Sequence, residues 1–68
     1  MVTLRDICET RGVAVVADEL GCTADHLYKL RRRERSIGGP LLRRCVDVYG
    51  TLFDAQATLA DMRVDGAA

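Results

Sequence analysis

The chain contains no tryptophan, one proline and one histidine, and neither Asn-Gly nor Gly-Asn occurs in it. Without hairpin turn signals a sheet is not expected. Long hydrophobic runs are also missing. The apolar run 13–17 falls far short of the roughly 20 residues that cross a bilayer, so neither a membrane span nor a signal peptide is expected. Cysteine is sparse and unpaired in spacing: Cys8, Cys22 and Cys45 form no Cys-x-x-Cys, and His26 stands alone. That pattern disfavours a disulfide framework and a zinc site. The thiols read instead as small buried hydrophobes of a cytoplasmic protein, with no metal and no cofactor. Sixty-eight residues, 49% of them apolar, suffice for one domain over 1–68. A chain of this length buries only about 60% of its unfolded surface, so association would help it.

Charge of one sign is not in excess overall, since ten basic and ten acidic side chains cancel. Their distribution is uneven. Lys29, Arg31, Arg32, Arg33, Arg35, Arg43 and Arg44 cluster against Glu34 alone, while the flanks carry the other acids and only Arg5, Arg11 and Arg63. A polarised chain of this kind suits a nucleic-acid partner, and a merely solvated basic face is the plain alternative.

Caps and periodicity predict an all-α, compact bundle of five short helices. Thr3-Leu4-Arg5-Asp6 reads as a capping box opening a first helix that Gly12 ends. Val13, Val16, Ala17 and Leu20 repeat at helical spacing up to Gly21. Thr23 is the N-cap expected for a third helix over about 24–33, with Leu27 and Leu30 inward. Pro40 suits the first position of a fourth helix that stops at Gly50. Thr51-Leu52-Phe53-Asp54 reads as a second capping box, opening a fifth helix over about 52–63 before a frayed tail at 65–68.

Segment 13–33 carries most of the functional information. Two short helices joined by a three-residue turn must cross steeply; small Ala17 allows close approach, and Gly21 can take a left-handed turn conformation. The run from Val16 through Ala17, Leu20, Gly21, Thr23 and Leu27 to Leu30 resembles the helix-turn-helix of the lambda Cro and repressor family. More loosely the likeness extends over 4–49, and the downstream pattern is similar to small lambdoid phage lysogeny regulators. In three places the chain departs from the family. Val13 stands where a phosphate-binding glutamine is frequent, Cys22 replaces a larger aliphatic residue, and Arg33-Glu34-Arg35 follows the third helix where a glycine is usual.

The resemblance implies a lambda-repressor-like fold and a transcriptional regulator, of repressor type, from a phage, prophage or plasmid setting. It would place its third helix in the major groove of double-stranded DNA. Helical geometry then leaves Asp25, Tyr28, Lys29 and Arg32 as candidates for base contacts. Asp25 has an alternative role as a helix-dipole carboxylate, and Tyr28 as a packing residue. Thr23, Arg31, Arg33, Arg35, Arg43 and Arg44 are the candidates for phosphate contacts. About four phosphates per protomer would give a dimer a log–log salt slope near −7.

The last helix also carries an apparent excess of apolar surface. Asp54, Thr58, Asp61 and Asp65 form a narrow polar stripe, and the rest is apolar. Leu52, Phe53, Leu59 and Met62 are therefore expected at the interface of a homodimer or higher oligomer, unless the helix closes the protomer's own core. The alternatives for function are a helical protein-interaction module, such as an antitoxin or adaptor, and an excisionase-like architectural DNA-binding protein. No nucleophile–base pair or phosphate-binding glycine loop suggests an enzyme, and no small-molecule ligand is expected. A DNA-bound regulator would lie with the nucleoid in the cytoplasm.

Overall fold

A computed structural model describes residues 1–64; the tail expected to fray, 65–68, lies outside the described residues. Five α-helices follow one another: α1 (Leu4–Arg11), α2 (Val13–Leu20), α3 (Ala24–Arg31), α4 (Gly39–Tyr49) and α5 (Ala55–Asp61), with a 3₁₀ turn at Gly50–Leu52. The β structure among the described residues is a single bridge between Val2 and Phe53. Val2 donates its amide to the Leu52 carbonyl (2.7 Å) and accepts from the Asp54 amide (2.7 Å), which ties the first residues to the entry of α5.

Local chemistry sets the first three helices. The Thr3 hydroxyl accepts from the Asp6 amide and the Asp6 carboxylate accepts from the Thr3 amide, so the capping box forms. Gly12 (φ 93°) separates α1 from α2, and Gly21 (φ 71°) lets the chain leave α2 left-handed. Thr23 caps α3 by accepting from the His26 amide. Leu4, Ile7, Cys8, Val16, Ala17, Leu20, Leu27 and Leu30 meet in one buried core, as apolar faces at helical spacing require.

The end of α3 departs from the expected boundary. The helix stops at Arg31 rather than near 33, and Arg33 takes a left-handed conformation (φ 58°). The Arg33 amide donates to the Leu30 carbonyl (3.1 Å) and the Glu34 amide to the Lys29 carbonyl (2.9 Å). This is the Schellman pattern, with arginine in the position that glycine usually fills. A side chain there costs on the order of 1–2 kcal/mol.

The fifth helix overturns two expectations. Thr51 opens no capping box: residues 50–52 form the 3₁₀ turn, and Asp54 is the N-cap, accepting from the Ala57 amide (3.0 Å). Of the polar stripe, Thr58 and Asp61 face the body of the protein instead of solvent, and Asp65 lies outside the described residues. Thr58 is fully buried, and its hydroxyl accepts from the Leu4 amide (3.1 Å), an otherwise orphaned donor in the first turn of α1. Asp61 accepts from Arg5 (2.9 Å) and Arg33 (3.0 Å). With Thr58 and Asp61 held toward the body, Phe53 and Met62 are 4% and 0% exposed and belong to the protomer's core, not to a surface for a second copy. Leu52 (70%) and Leu59 (44%) remain outside.

Thr58→Val tests the inverted stripe. It keeps the shape but leaves the buried Leu4 amide unpaired, which costs about 1–3 kcal/mol. Thermal unfolding should show a lowered midpoint with the helical signal unchanged before the transition. An unchanged midpoint would mean that the bond carries no stability.

A second network joins α1, α2 and α4, where Glu19 accepts from Arg11 (3.0 Å) and from the Tyr49 hydroxyl (3.1 Å). The Arg11 hydrogen bond holds the Glu19 carboxyl below its usual range, and the Thr3 bonds do the same for Asp6. Both folded values lie below the unfolded ones, so their contribution is present at neutral pH and disappears as pH falls through the folded values. Two of the three thiols expected to be buried are core atoms, Cys8 and Cys45, and burial pushes Cys45 up to about 12; Cys22, in the α2–α3 turn, is only partly buried. No helix of the described residues is long and apolar enough to cross a membrane.

Candidate nucleic-acid interface

The α2–α3 pair positions the candidate surface. Ala17 is 5% exposed, and the amides of Gly21 and Cys22 close on the carbonyls of Asp18 and Ala17. The connection is thus fixed by backbone bonds rather than left loose. With Leu27 and Leu30 fully buried, the opposite side of α3 presents Asp25 and Tyr28 to solvent, with Lys29 half-buried beside them. Tyr28 is 46% exposed, which favours a surface role over packing against α1.

These candidates do not stand as isolated charges. Lys29 pairs with Asp25 one turn earlier (3.2 Å). Arg32, just past the end of α3, pairs with Glu34. Surface pairs of this kind contribute only about 0–1 kcal/mol each, so a stronger partner can displace them.

The six phosphate candidates separate into two groups. Thr23 keeps its cap, and its hydroxyl hydrogen can still be donated outward. Arg35, Arg43 and Arg44 are exposed, and none has a carboxylate within 4.0 Å among the described residues. Arg31 and Arg33 belong elsewhere. The Arg31 guanidinium leans toward Glu9 (3.9 Å), with Nε buried and lacking a hydrogen-bond partner. Arg33 donates from Nε to the Asp61 carbonyl (2.9 Å) and from Nη2 to its carboxylate (3.0 Å). Both arginines are turned onto the protein's own acids, because distant helices bring carboxylates within their reach.

Arg44 lies beside the α2–α3 connection. A Cβ added to Gly21 would sit 3.4 Å from its Nη1. With His26, Cys22, Pro40 and Leu41 it borders a shallow depression of about 210 Å³. The basic cluster is therefore smaller than its sequence suggests. Four of its seven cations are paired internally, whereas Arg35, Arg43 and Arg44 have no carboxylate partner among the described residues.

The i,i+4 spacing of Asp25 and Lys29 was a readable sign of pairing. Asp61 as the partner of Arg33 and Arg5 had no local signal, since it lies 28 and 56 residues away. No cluster of three or more His, Cys, Asp or Glu among the described residues could hold a metal. Comparison with known proteins gives no match: no family model, no curated protein and no solved structure matches the chain.

Proposed function

We propose that this chain is a sequence-specific regulator of double-stranded DNA, with α2 and α3 as its helix-turn-helix and α3 as the helix that enters the major groove. The observation that carries the proposal is the solvent-facing side of α3, bearing Asp25, Tyr28 and Lys29, with Arg32 at its end and, on the adjoining loop and α4, three exposed arginines that have no carboxylate partner among the described residues. Lys29 and Arg32 suit guanine O6 and N7, Asp25 suits cytosine N4, and Arg35, Arg43 and Arg44 suit phosphates.

A symmetric dimer would set two such helices about 34 Å apart, on one side of the duplex. Of the four interface candidates, Leu52 in the 3₁₀ turn and Leu59 in α5 are exposed and are left for that contact. Selection of binding sites from random duplex DNA tests the proposal. Half-sites with centres about 10–11 base pairs apart are expected; enrichment of no sequence would refute it.

The internal pairing changes the expected electrostatics. With three unpaired arginines per protomer, a dimer neutralises about six phosphates and gives a salt slope near −5. Titration of binding against salt distinguishes this value from the steeper one expected if every basic residue of the cluster touched DNA. The same pairing favours, as a second reading, a protein-interaction module on this scaffold, for which no duplex binding at low salt is expected.

A further inference from the structure

The segment between α3 and α4 carries Arg32 and Arg35, yet it is not a free loop. Four contacts tie it to the end of α5. Arg33 bonds the Asp61 carbonyl and carboxylate, the Ile37 amide donates to the Met62 carbonyl (2.9 Å), and the Val64 amide donates to the Ser36 hydroxyl (3.0 Å). On the other side, Arg5 bonds Asp61 (2.9 Å) and the carbonyl of Arg31 (2.8 Å), the last residue of α3. Asp61 thus joins α1, the α3 terminus and α5 through two arginines.

The conformation of Arg33 gives this arrangement its meaning. It is the one non-glycine residue with positive φ among the described residues (φ 58°). A strained backbone persists where its surroundings over-determine it, and such positions cluster at functional sites. Here the left-handed residue ends α3 and sends its own side chain back onto Asp61, although it is exposed like its neighbours Arg32 and Glu34. Glycine would relieve the strain but could not make the forked contact.

We propose that Arg33 and Asp61 form a strut that sets the end of α3 and the following basic segment for DNA. They would govern sequence-specific affinity without touching nucleic acid. Both are positioning residues, and the inference rests on the DNA-binding function proposed above. The sign of one substitution separates the strut from simple electrostatics. Asp61→Asn removes a negative charge, which by itself strengthens binding to any polyanion. Loss of the strut acts in the opposite direction, and only on a duplex whose bases are being read.

The test uses the whole chain, a duplex recovered by selection and a random duplex of equal length. All proteins are compared at a temperature where circular dichroism shows them folded. Asp61→Asn should bind the selected duplex roughly tenfold more weakly, as expected for the loss of a coupled network, while its affinity for the random duplex is equal or higher. Arg33→Lys, which keeps the charge but not the fork, should shift the selected duplex in the same direction and leave the salt slope unchanged. Hydrogen exchange of free Asp61→Asn should be faster at the Glu34 and Ile37 amides.

Undiminished binding of the selected duplex by Asp61→Asn overturns the strut, as do unchanged exchange rates. So does Arg33→Ala if it flattens a dimer's salt slope by about 1.8, for Arg33 is then a phosphate contact. Wild-type protein that binds neither duplex overturns the DNA-binding function itself.

Discussion

Leu30→Ala is expected to lower the unfolding midpoint by roughly 10 °C or more, and to leave a large unfolded fraction near physiological temperature. Leu30 is fully buried between α3 and the core it shares with Leu4, Val16 and Leu27. Truncating such a leucine costs about 2–5 kcal/mol, from lost transfer energy and the cavity left behind. A chain of this length has only about 3–10 kcal/mol of stability in total. The loss therefore removes about half of the margin or more, and no single cap or surface pair in the molecule is large enough to offset it. Thermal unfolding followed by circular dichroism checks the result. Leu59→Ala is the control: that side chain is 44% exposed, so the midpoint of the isolated protomer should change little. If Leu59→Ala lowers the midpoint in a concentration-dependent way, Leu59 lies in a self-association surface.

The double variant Lys29→Ala, Arg32→Ala is expected to lose most of the affinity for a selected duplex, while its fold stays intact. Each well-formed base contact contributes about 1–3 kcal/mol of discrimination. Against this, binding must release Lys29 from Asp25 and Arg32 from Glu34. Exposed pairs are worth at most about 1 kcal/mol each, so the base contacts win by a modest margin. Removing both side chains should therefore cost roughly 2–4 kcal/mol net, about thirty- to a thousand-fold in affinity. Glu34→Gln should act oppositely and tighten binding slightly, since it frees Arg32 and removes a charge that repels phosphate. Fluorescence anisotropy with the selected duplex measures all three proteins. Equal affinity of the double variant and the wild type would show that α3 does not read bases through these residues.

Much of the helical layout is legible in the chain. The Thr3 box, Gly12, the Gly21 turn, the Thr23 cap and Pro40 in the first turn of α4 all act through partners within about four residues, so the local sequence contains both ends of each interaction. The inward phase of Leu27 and Leu30 follows from the same periodicity, and it leaves Asp25, Tyr28 and Lys29 on the opposite side. The outer face of α3 is accordingly a property that the sequence by itself determined.

The absences that disfavour a sheet, a disulfide framework and a spanning helix likewise require no tertiary information. What only the tertiary structure decided lies at long range. Thr58 meets Leu4 across 54 residues, Asp61 meets Arg5 across 56, and Arg33 meets Asp61 across 28. Those contacts hold Thr58 and Asp61 toward the body, leave Phe53 and Met62 in the core and engage the exposed Arg33 with Asp61, while the Arg31 guanidinium leans toward Glu9. The physical reason is that a hydrogen-bond donor or a charge takes whichever partner the fold brings within about 3 Å, and sequence spacing reports that distance only inside a single helix or turn.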